Sequence, residues 1–208
     1  MPRAARSTKE EILEVATRLM KVRGYHRTAL EDVLRESGTA KGNFYHHFRS
    51  KEELGYAILD RLLRDFTERT LDPILRDSSR PPLERIEAFF GQLLAAQRAR
   101  NCVGGCPMAN LATELADFHE GFRRRLAEIF ALWRARLADA LARAQAEGAL
   151  APEADAAALA RFLVAGLEGA ILLTKVQKDI AVMESCVAEL RRYLGLYTRP
   201  AAGAGASR

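Results

Sequence analysis

Residues 28–54 read TALEDVLRESGTAKGNFYHHFRSKEEL, and the reading of this stretch decides the fold. Thr28 and Glu31 have the spacing of a capping box, which predicts a helix opening at Thr28. Leu30, Val33 and Leu34 give that helix one apolar stripe. Gly38 predicts its end, because glycine takes the left-handed backbone of a helix C-terminus without a Cβ clash. The next segment, AKGNFYHHF, differs in kind. Phe44 and Phe48 are its apolar anchors, and at four residues apart they share one face. The other face carries Lys41, Asn43, Tyr45, His46 and His47, whose donors suit phosphates and base edges. Ser50 and Glu53 form a second capping box and start a further helix with Lys51 in its first turn. A donor-rich helix of about nine residues, held between two better-anchored ones, is how a helix-turn-helix presents its reading element to a major groove.

Upstream, Ser7 and Glu10 make a third capping box, and Ile12, Ala16, Leu19 and Met20 recur at helical spacing until Gly24. This first helix is a scaffold for the next two. The residues before it, MPRAAR at 1–6, form a basic arm that reads either as a frayed terminus or as a segment reaching into a minor groove. Charge supports the assignment by its location. Residues 1–51 carry 11 Lys and Arg against 6 Asp and Glu, whereas the rest of the chain carries 21 of each. The whole excess of +5 therefore lies where a polyanion would bind.

Downstream, Tyr56, Ala57, Leu59, Leu62, Leu63 and Phe66 continue one long helix to about Leu71, where Pro73 is expected to interrupt it. Because this helix is joined to Lys51, it is the natural transmission element. The turn-rich SSRPP at 78–82 precedes a helix with Leu83, Ile86, Phe89, Phe90, Leu93 and Leu94. NCVGGCP at 101–107 breaks the pattern: Gly104 and Gly105 permit unusual backbone angles, Pro107 fits the first position of a new helix, and Cys106 is its candidate N-cap. A helix N-terminus favours the thiolate, so Cys106 reads either as a reactive thiol or as a small buried residue at a kink. Met108, Leu111, Ala112 and Leu115 give the new helix its apolar side. A long amphipathic helix then runs from about Phe122 through Phe130 and Trp133 to near Gly148. Trp133 fits either core packing or stacking on a ligand. From Glu153 to Thr174 the chain is apolar on nearly all faces, with Ala165, Gly166, Gly169 and Ala170 thin enough for close helix approach, and a partner subunit is a ready cover. The last helix, about Ile180 to Leu196, would complete a four-helix bundle across a two-fold axis.

The fold class is therefore all-α: a helix-turn-helix domain over 1–52, a larger helical effector-binding and dimerisation domain over 53–198, and a disordered low-complexity tail over 199–208. With 49% hydrophobic, 28% charged and 7% aromatic residues, the composition is that of a globular protein other than an all-β sandwich. No apolar run approaches the ~18 residues of a membrane span, no secretion signal opens the chain, and three cysteines make no disulfide framework. A cytoplasmic, nucleoid-associated location without a membrane partner is expected. No metal-ligand spacing and no cofactor motif is present. His119 beside Glu120, Cys102 and Cys106 lack helpers at a recognisable spacing, so no enzyme and no catalytic residue is expected. A non-specific structural DNA-binding protein would explain the basic segment but not the long neutral helical part.

The run Gly42-Asn43-Phe44-Tyr45-His46-His47-Phe48-Arg49-Ser50-Lys51-Glu52-Glu53-Leu54 resembles the tetracycline-repressor-like (TetR) transcriptional regulators, whose helix-turn-helix ends in a similar aromatic-rich stretch followed by Lys-Glu. The resemblance implies a homodimer on a near-palindromic double-stranded DNA operator, released by a small-molecule effector. It implies that Thr39, Lys41, Gly42 and Asn43 face bases or adjacent backbone, and that Thr28, Tyr45, His46, His47 and Lys51 clamp phosphates. Phe89, Leu93, Met108, Leu111, Phe130, Trp133 and Leu172 would line an apolar effector pocket. GGCPMANLATELAD, followed by LLTKVQKD, further resembles members of that family that respond to electrophiles and oxidants, which implies Cys106 as sensor thiol and Lys175 as its partner.

Overall fold

The computed structural model describes residues 8–199. Its helices are α1 (Thr8–Arg23), α2 (Leu30–Ser37), α3 (Lys41–His47), α4 (Lys51–Phe66), α5 (Asp72–Leu75), α6 (Pro82–Ala99), α7 (Pro107–Leu115), α8 (Glu120–Ala146), α9 (Ala156–Gln177) and α10 (Ile180–Gly195). The basic arm, the Ser7 cap and the tail from residue 200 onward lie outside the described residues. Arg199, placed in the tail by the sequence, has its amide on the Ala149 carbonyl at 3.0 Å, beside an isolated bridge between Leu150 and Thr198.

The chain divides into two compact units, Met1–Arg64 with Pro107–Ala127 and Asp65–Cys106 with Glu128–Arg208. This division differs from the expected boundary at residue 52. The first turns of α4, with α7 and the opening of α8, belong with the helix-turn-helix because Leu54, Ile58, Leu59, Leu115 and Phe122 are buried there. The Phe122 ring stands 5.1 Å from Tyr25 and 4.7 Å from Tyr56.

Within the first unit α1 packs on α2 and α3 through Ile12, Ala16, Leu19 and Met20. The expected cap of α2 is not made. Ala29, in extended backbone, precedes the helix without a side-chain cap, and the Thr28 hydroxyl donates instead to the Gly24 carbonyl four residues back, at 2.7 Å. A threonine can satisfy its hydroxyl on a preceding turn as readily as on a following one, and here the preceding turn wins. Gly38 closes α2 at φ 65°, with its amide on the carbonyls of Leu34 and Arg35, as the sequence implies. The cap of α4 forms, displaced by one residue on the acidic side. Ser50 Oγ accepts from the Glu53 amide at 3.1 Å, while the Glu53 carboxylate accepts from the amide of Arg49 at 2.7 Å.

Pro73 does not interrupt the helix after α4. The chain widens into a π-helical segment, Thr67–Leu71, in which the Asp72 amide reaches the Thr67 carbonyl, and Pro73 then sits in the first turn of α5. A proline there loses no intrahelical hydrogen bond, because first-turn amides have no partner within their own helix. The rest of the second unit packs α5 on α6, α6 on α10 and α10 along α9. Leu163, Leu167 and Ala170 of α9, with Met183, Val187 and Leu190 of α10, are buried. The thin stripe of α9 is used inside the chain at Gly166, where a Cβ would lie 2.6 Å from Leu190 Cδ2. Phe162, Leu172, Leu173 and Val176 of the same helix stay exposed. By length and mean hydropathy (1.8), Ala156–Gln177 is apolar enough to cross a membrane, which corrects the reading that no run approaches such a span. Its Leu, Ile, Val and Phe residues raise the mean without forming an unbroken run, and Arg161, Glu168 and Lys175 interrupt it.

Gly55 of α4 has no room for a side chain: a Cβ would lie 2.6 Å from the Phe122 ring and 2.9 Å from Tyr25. Gly55→Ala is expected to destabilise the fold by about 1–3 kcal/mol despite alanine's better helix propensity. Urea unfolding of the two proteins followed by circular dichroism checks this, and an unchanged midpoint would mean that the two aromatic rings shift freely.

Candidate functional site

Two groups of residues stand out, one in each unit. In the first, α3 is fixed by Phe44 and Phe48, both buried, with ring centroids 5.7 Å apart. Their burial turns Lys41, Gly42, Asn43, Tyr45 and His46 outward, with His47 half-buried and 5.0 Å ring to ring from His46. A Cβ built on Gly42 would meet nothing within 4 Å, so nothing inside this fold demands glycine there. Arg49, which the sequence reading left unassigned, is exposed beside the helix.

Two predicted contact residues stand apart from this surface. Thr28 is 0% exposed, and its hydroxyl is already committed to Gly24. Thr39 is 8% exposed in the turn, with Oγ1 3.5 Å from the Ser37 carbonyl. Lys51 is half-buried rather than free: its Nζ lies 4.6 Å from the Tyr25 ring centroid and 3.5 Å from the His26 carbonyl oxygen. Burial lowers its pKa, opposed by the charges of Glu114 and Glu31.

Glu114, on α7, is a residue that sequence reasoning missed. Its carboxylate accepts from the Tyr25 amide at 2.8 Å and from the His26 amide at 2.6 Å, fixing the turn between α1 and α2 from behind. No motif marks it, because its partners are 88 and 89 residues distant in sequence.

The residues predicted to meet an effector are divided between the units. Met108 and Leu111 belong to the first, and Leu111 borders a void of about 10 Å³ that is water-sized at most. Cys106, Phe130, Trp133, Leu172 and Lys175 belong to the second. There Trp133 is 1% exposed among Phe66, Phe89 and Phe130, at centroid distances of 5.4, 6.0 and 6.3 Å, and its indole nitrogen is buried without a partner. Leu172 stands among the exposed apolar residues of α9, at 55% exposure, and not in this aromatic cluster.

The cysteine site lies where α6 ends. Asn101, Cys102, Gly104 and Gly105 all take positive φ, a concentration of left-handed backbone of which the glycines were the legible part. Gly105 admits the stem of Lys175, since a Cβ there would lie 2.9 Å from Lys175 Cδ, so Lys175 and Cys106 are brought to the same loop. The buried Cys106 thiol lies near enough to the Glu168 carboxylate to act on its proton affinity, and the two carboxylate oxygens are sealed from solvent with no hydrogen-bond partner of ordinary geometry among the described residues. Burial pushes the Glu168 carboxyl up to about 7, and the nearby Cys106 thiol offsets part of that rise. Among the described residues no group of three His, Cys, Asp or Glu is placed to hold a metal ion.

Since folding raises this carboxyl above its unfolded value, the folded state binds the extra proton, and stability falls as pH rises from about 4 to about 7. The loss of stability between pH 5 and 8 attributable to Glu168 is at most about 3 kcal/mol. Glu168→Gln is expected to remove it, so that denaturation midpoints of variant and wild type diverge with rising pH; parallel profiles would show Glu168 ionising as an ordinary surface carboxyl.

Comparison with known proteins agrees with this geometry. Residues 12–58 match the family described as bacterial regulatory proteins, tetR family, and residues 82–190 match the tetracyclin repressor-like C-terminal domain. An HTH-type transcriptional regulator from the lacX 3' region of Lactococcus lactis subsp. lactis is 34% identical, over 86% of this chain and 89% of its own length. The HTH-type transcriptional repressor DhaR of Mycobacterium sp. strain GP1 is 29% identical, over 82% of this chain and 84% of its own. Among solved structures, the reduced form of Escherichia coli NemR superposes with a TM-score of 0.82 at 28% identity, covering 89% of this chain and 95% of that one.

Proposed function

The chain belongs to the tetR family of bacterial helix-turn-helix regulators, not to an enzyme family, and from that premise we propose that it is a homodimeric repressor whose α3 reads a near-palindromic operator and whose second unit takes a small hydrophobic or electrophilic effector. The observation that carries this reading is the two-faced α3, with Phe44 and Phe48 buried while Lys41, Asn43, Tyr45 and His46 face outward. Asn43 has the chemistry to read an adenine edge, and Lys41, Tyr45 and His46 to hold phosphates. Half-sites about one helical turn apart, roughly 10 bp or a multiple, follow from a two-fold axis. The exposed stripe of Phe162, Leu172, Leu173 and Val176 on α9 supports a second copy as its cover, in line with a bundle formed across that axis. DhaR and NemR are each named as transcriptional repressors, which favours repression over activation.

For the effector, the favoured chemistry is addition of an electrophile to Cys106. An ordinary thiol has a pKa of about 8.5, and an ordinary carboxylate, near 4.3, is too weak a base for it. Burial of Glu168 narrows that gap. Proton transfer from Sγ to the carboxylate leaves the pair's net charge unchanged, so the apolar surroundings do not oppose it as they would oppose a new charge. The thiolate sulfur then bonds to the β-carbon of an α,β-unsaturated carbonyl, the π pair moves to the α-carbon, and that carbon takes the proton. By resemblance Lys175 is the partner of this thiol, and its stem packs on Gly105 next to it. A reversible, mostly apolar ligand carrying one acceptor for the unpartnered indole N–H of Trp133 is the second reading.

The route to DNA runs along the chain. Pro107, the residue after Cys106, opens α7, and α7 carries Glu114 to the amides of Tyr25 and His26, in the same turn whose His26 carbonyl meets Lys51. An adduct needs to favour a conformer with misplaced readers by only ~1–3 kcal/mol to lower operator affinity 5- to 150-fold.

Selection of binding sites from random-sequence DNA, repeated after N-ethylmaleimide treatment, tests both levels. The expected result is a palindrome that is enriched before treatment, lost after it, and retained by Cys106→Ser. Salt-dependent binding without site preference would sink the operator reading, and a palindrome indifferent to the reagent would leave it standing while removing the thiol switch. Gly42→Ala is expected to leave the fold as stable or up to about 1 kcal/mol more stable, since its Cβ meets nothing, while weakening operator binding by holding α3 off the groove. Unfolding and fluorescence anisotropy on the selected palindrome read the two effects separately; undiminished affinity would place Gly42 away from the DNA.

A further inference from the structure

The second unit holds a cavity of about 290 Å³ whose lining is dominated by arginine. Arg136, Asp139 and Arg143 recur along one face of α8, while Arg76, just after α5, and Arg85, in the first turn of α6, border the same space. Two of these arginines are neutralised locally. Asp72 takes Arg136 at 2.6 Å and Arg76 at 3.6 Å. Asp139 adds its charge near Arg136, and Asp77 is held by Ser79 at 3.0 Å and Arg80 at 3.2 Å.

Among the described residues Arg85 and Arg143 form no ion pair, although Asp77 lies near enough to feel the charge of Arg85. Arg85 is only 6% exposed, and its Nε donates to the Arg80 carbonyl at 2.8 Å. Its two terminal nitrogens have no partner among the described residues and are not sealed off, and the side chain borders the cavity. A guanidinium stays charged at every physiological pH, and withdrawing it from water without a carboxylate in direct contact is unfavourable. Its free edge is a planar fork matched to two oxygens of a phosphate or carboxylate.

We propose that this cavity is a binding site for a small organic oxyanion, gripped by the Arg85 fork within and by Arg143 at the rim. Its volume is at the small end of ligand pockets, enough for one phosphate or carboxylate group carrying a short carbon chain. Asp139 in the wall leaves room for a hydroxyl donor on the same ligand. The site owes nothing to Cys106 or to the face of α3, so it stands or falls apart from the repressor reading.

The test is isothermal titration of the full chain with inorganic phosphate, glycerol 3-phosphate and succinate in turn, at constant ionic strength set with chloride. Saturable binding of at least one is expected, weakened about ten- to a hundredfold in Arg143→Ala and in Arg85→Gln. Arg143 is exposed, so its variant carries the test even where Arg85→Gln fails to fold. Lys41→Ala, on the DNA-reading face, is expected to bind the anion as the wild type does. Binding of the phosphates alone identifies a phosphate site, binding of succinate alone a carboxylate site, and binding of all three an oxyanion site without that preference. Absence of saturable binding by all three overturns the proposal, as does binding abolished by Lys41→Ala and unaffected by Arg143→Ala.

Discussion

A helix of seven residues has no stability of its own in water, where even alanine-rich sequences need about 12–15 residues to be marginal. Helix α3 exists because Phe44 and Phe48 are withdrawn from water, and each buried phenylalanine contributes about 1.5–3 kcal/mol. Everything the first unit does with DNA depends on that anchoring. Two rings four residues apart fix both the position of the helix and its rotation, so the polar side chains between them can only point outward.

The turn behind this reader is fixed by polar contacts. Two backbone amides, those of Tyr25 and His26, are satisfied by one carboxylate from α7, and Lys51 is drawn over the Tyr25 ring beside them. A charge-assisted hydrogen bond to a backbone amide is stronger than a neutral one and depends sharply on geometry. It therefore holds the turn firmly in one position, and under the proposed switch a small displacement of α7 would be enough to break it. An apolar contact at the same place would slide and weaken gradually.

What the sequence made legible follows from range. The ends of α2, α6 and α7 marked by Gly38, Pro82 and Pro107 are set by residues within a turn of them, and such signals survive translation into structure. Thr28 shows the limit of even local rules, because one hydroxyl had two carbonyl-rich or amide-rich neighbours and the sequence did not rank them. Pro73 shows another: a proline breaks a continuing α-helix, but a π-helical turn just before it makes it the start of the next. Glu114 and Arg85 were illegible for a different reason. Each is an ordinary charged residue in a helix, and its meaning comes from partners, or from the lack of them, that only folding brings near.

Glu168 lies between these cases. Its oddity within an apolar helix was visible, since a carboxylate there interrupts a run whose mean hydropathy is 1.8 even with the glutamate counted. What it does was not visible, because the thiol beside it is more than sixty residues away in sequence. An acidic residue kept in such surroundings without an N–H or O–H donor costs stability wherever it is ionised, and a glutamine of the same shape would avoid that. Packing therefore does not account for its presence. The proton exchange with Cys106 proposed above would account for it, and that role would require the very burial that makes the residue expensive to the fold.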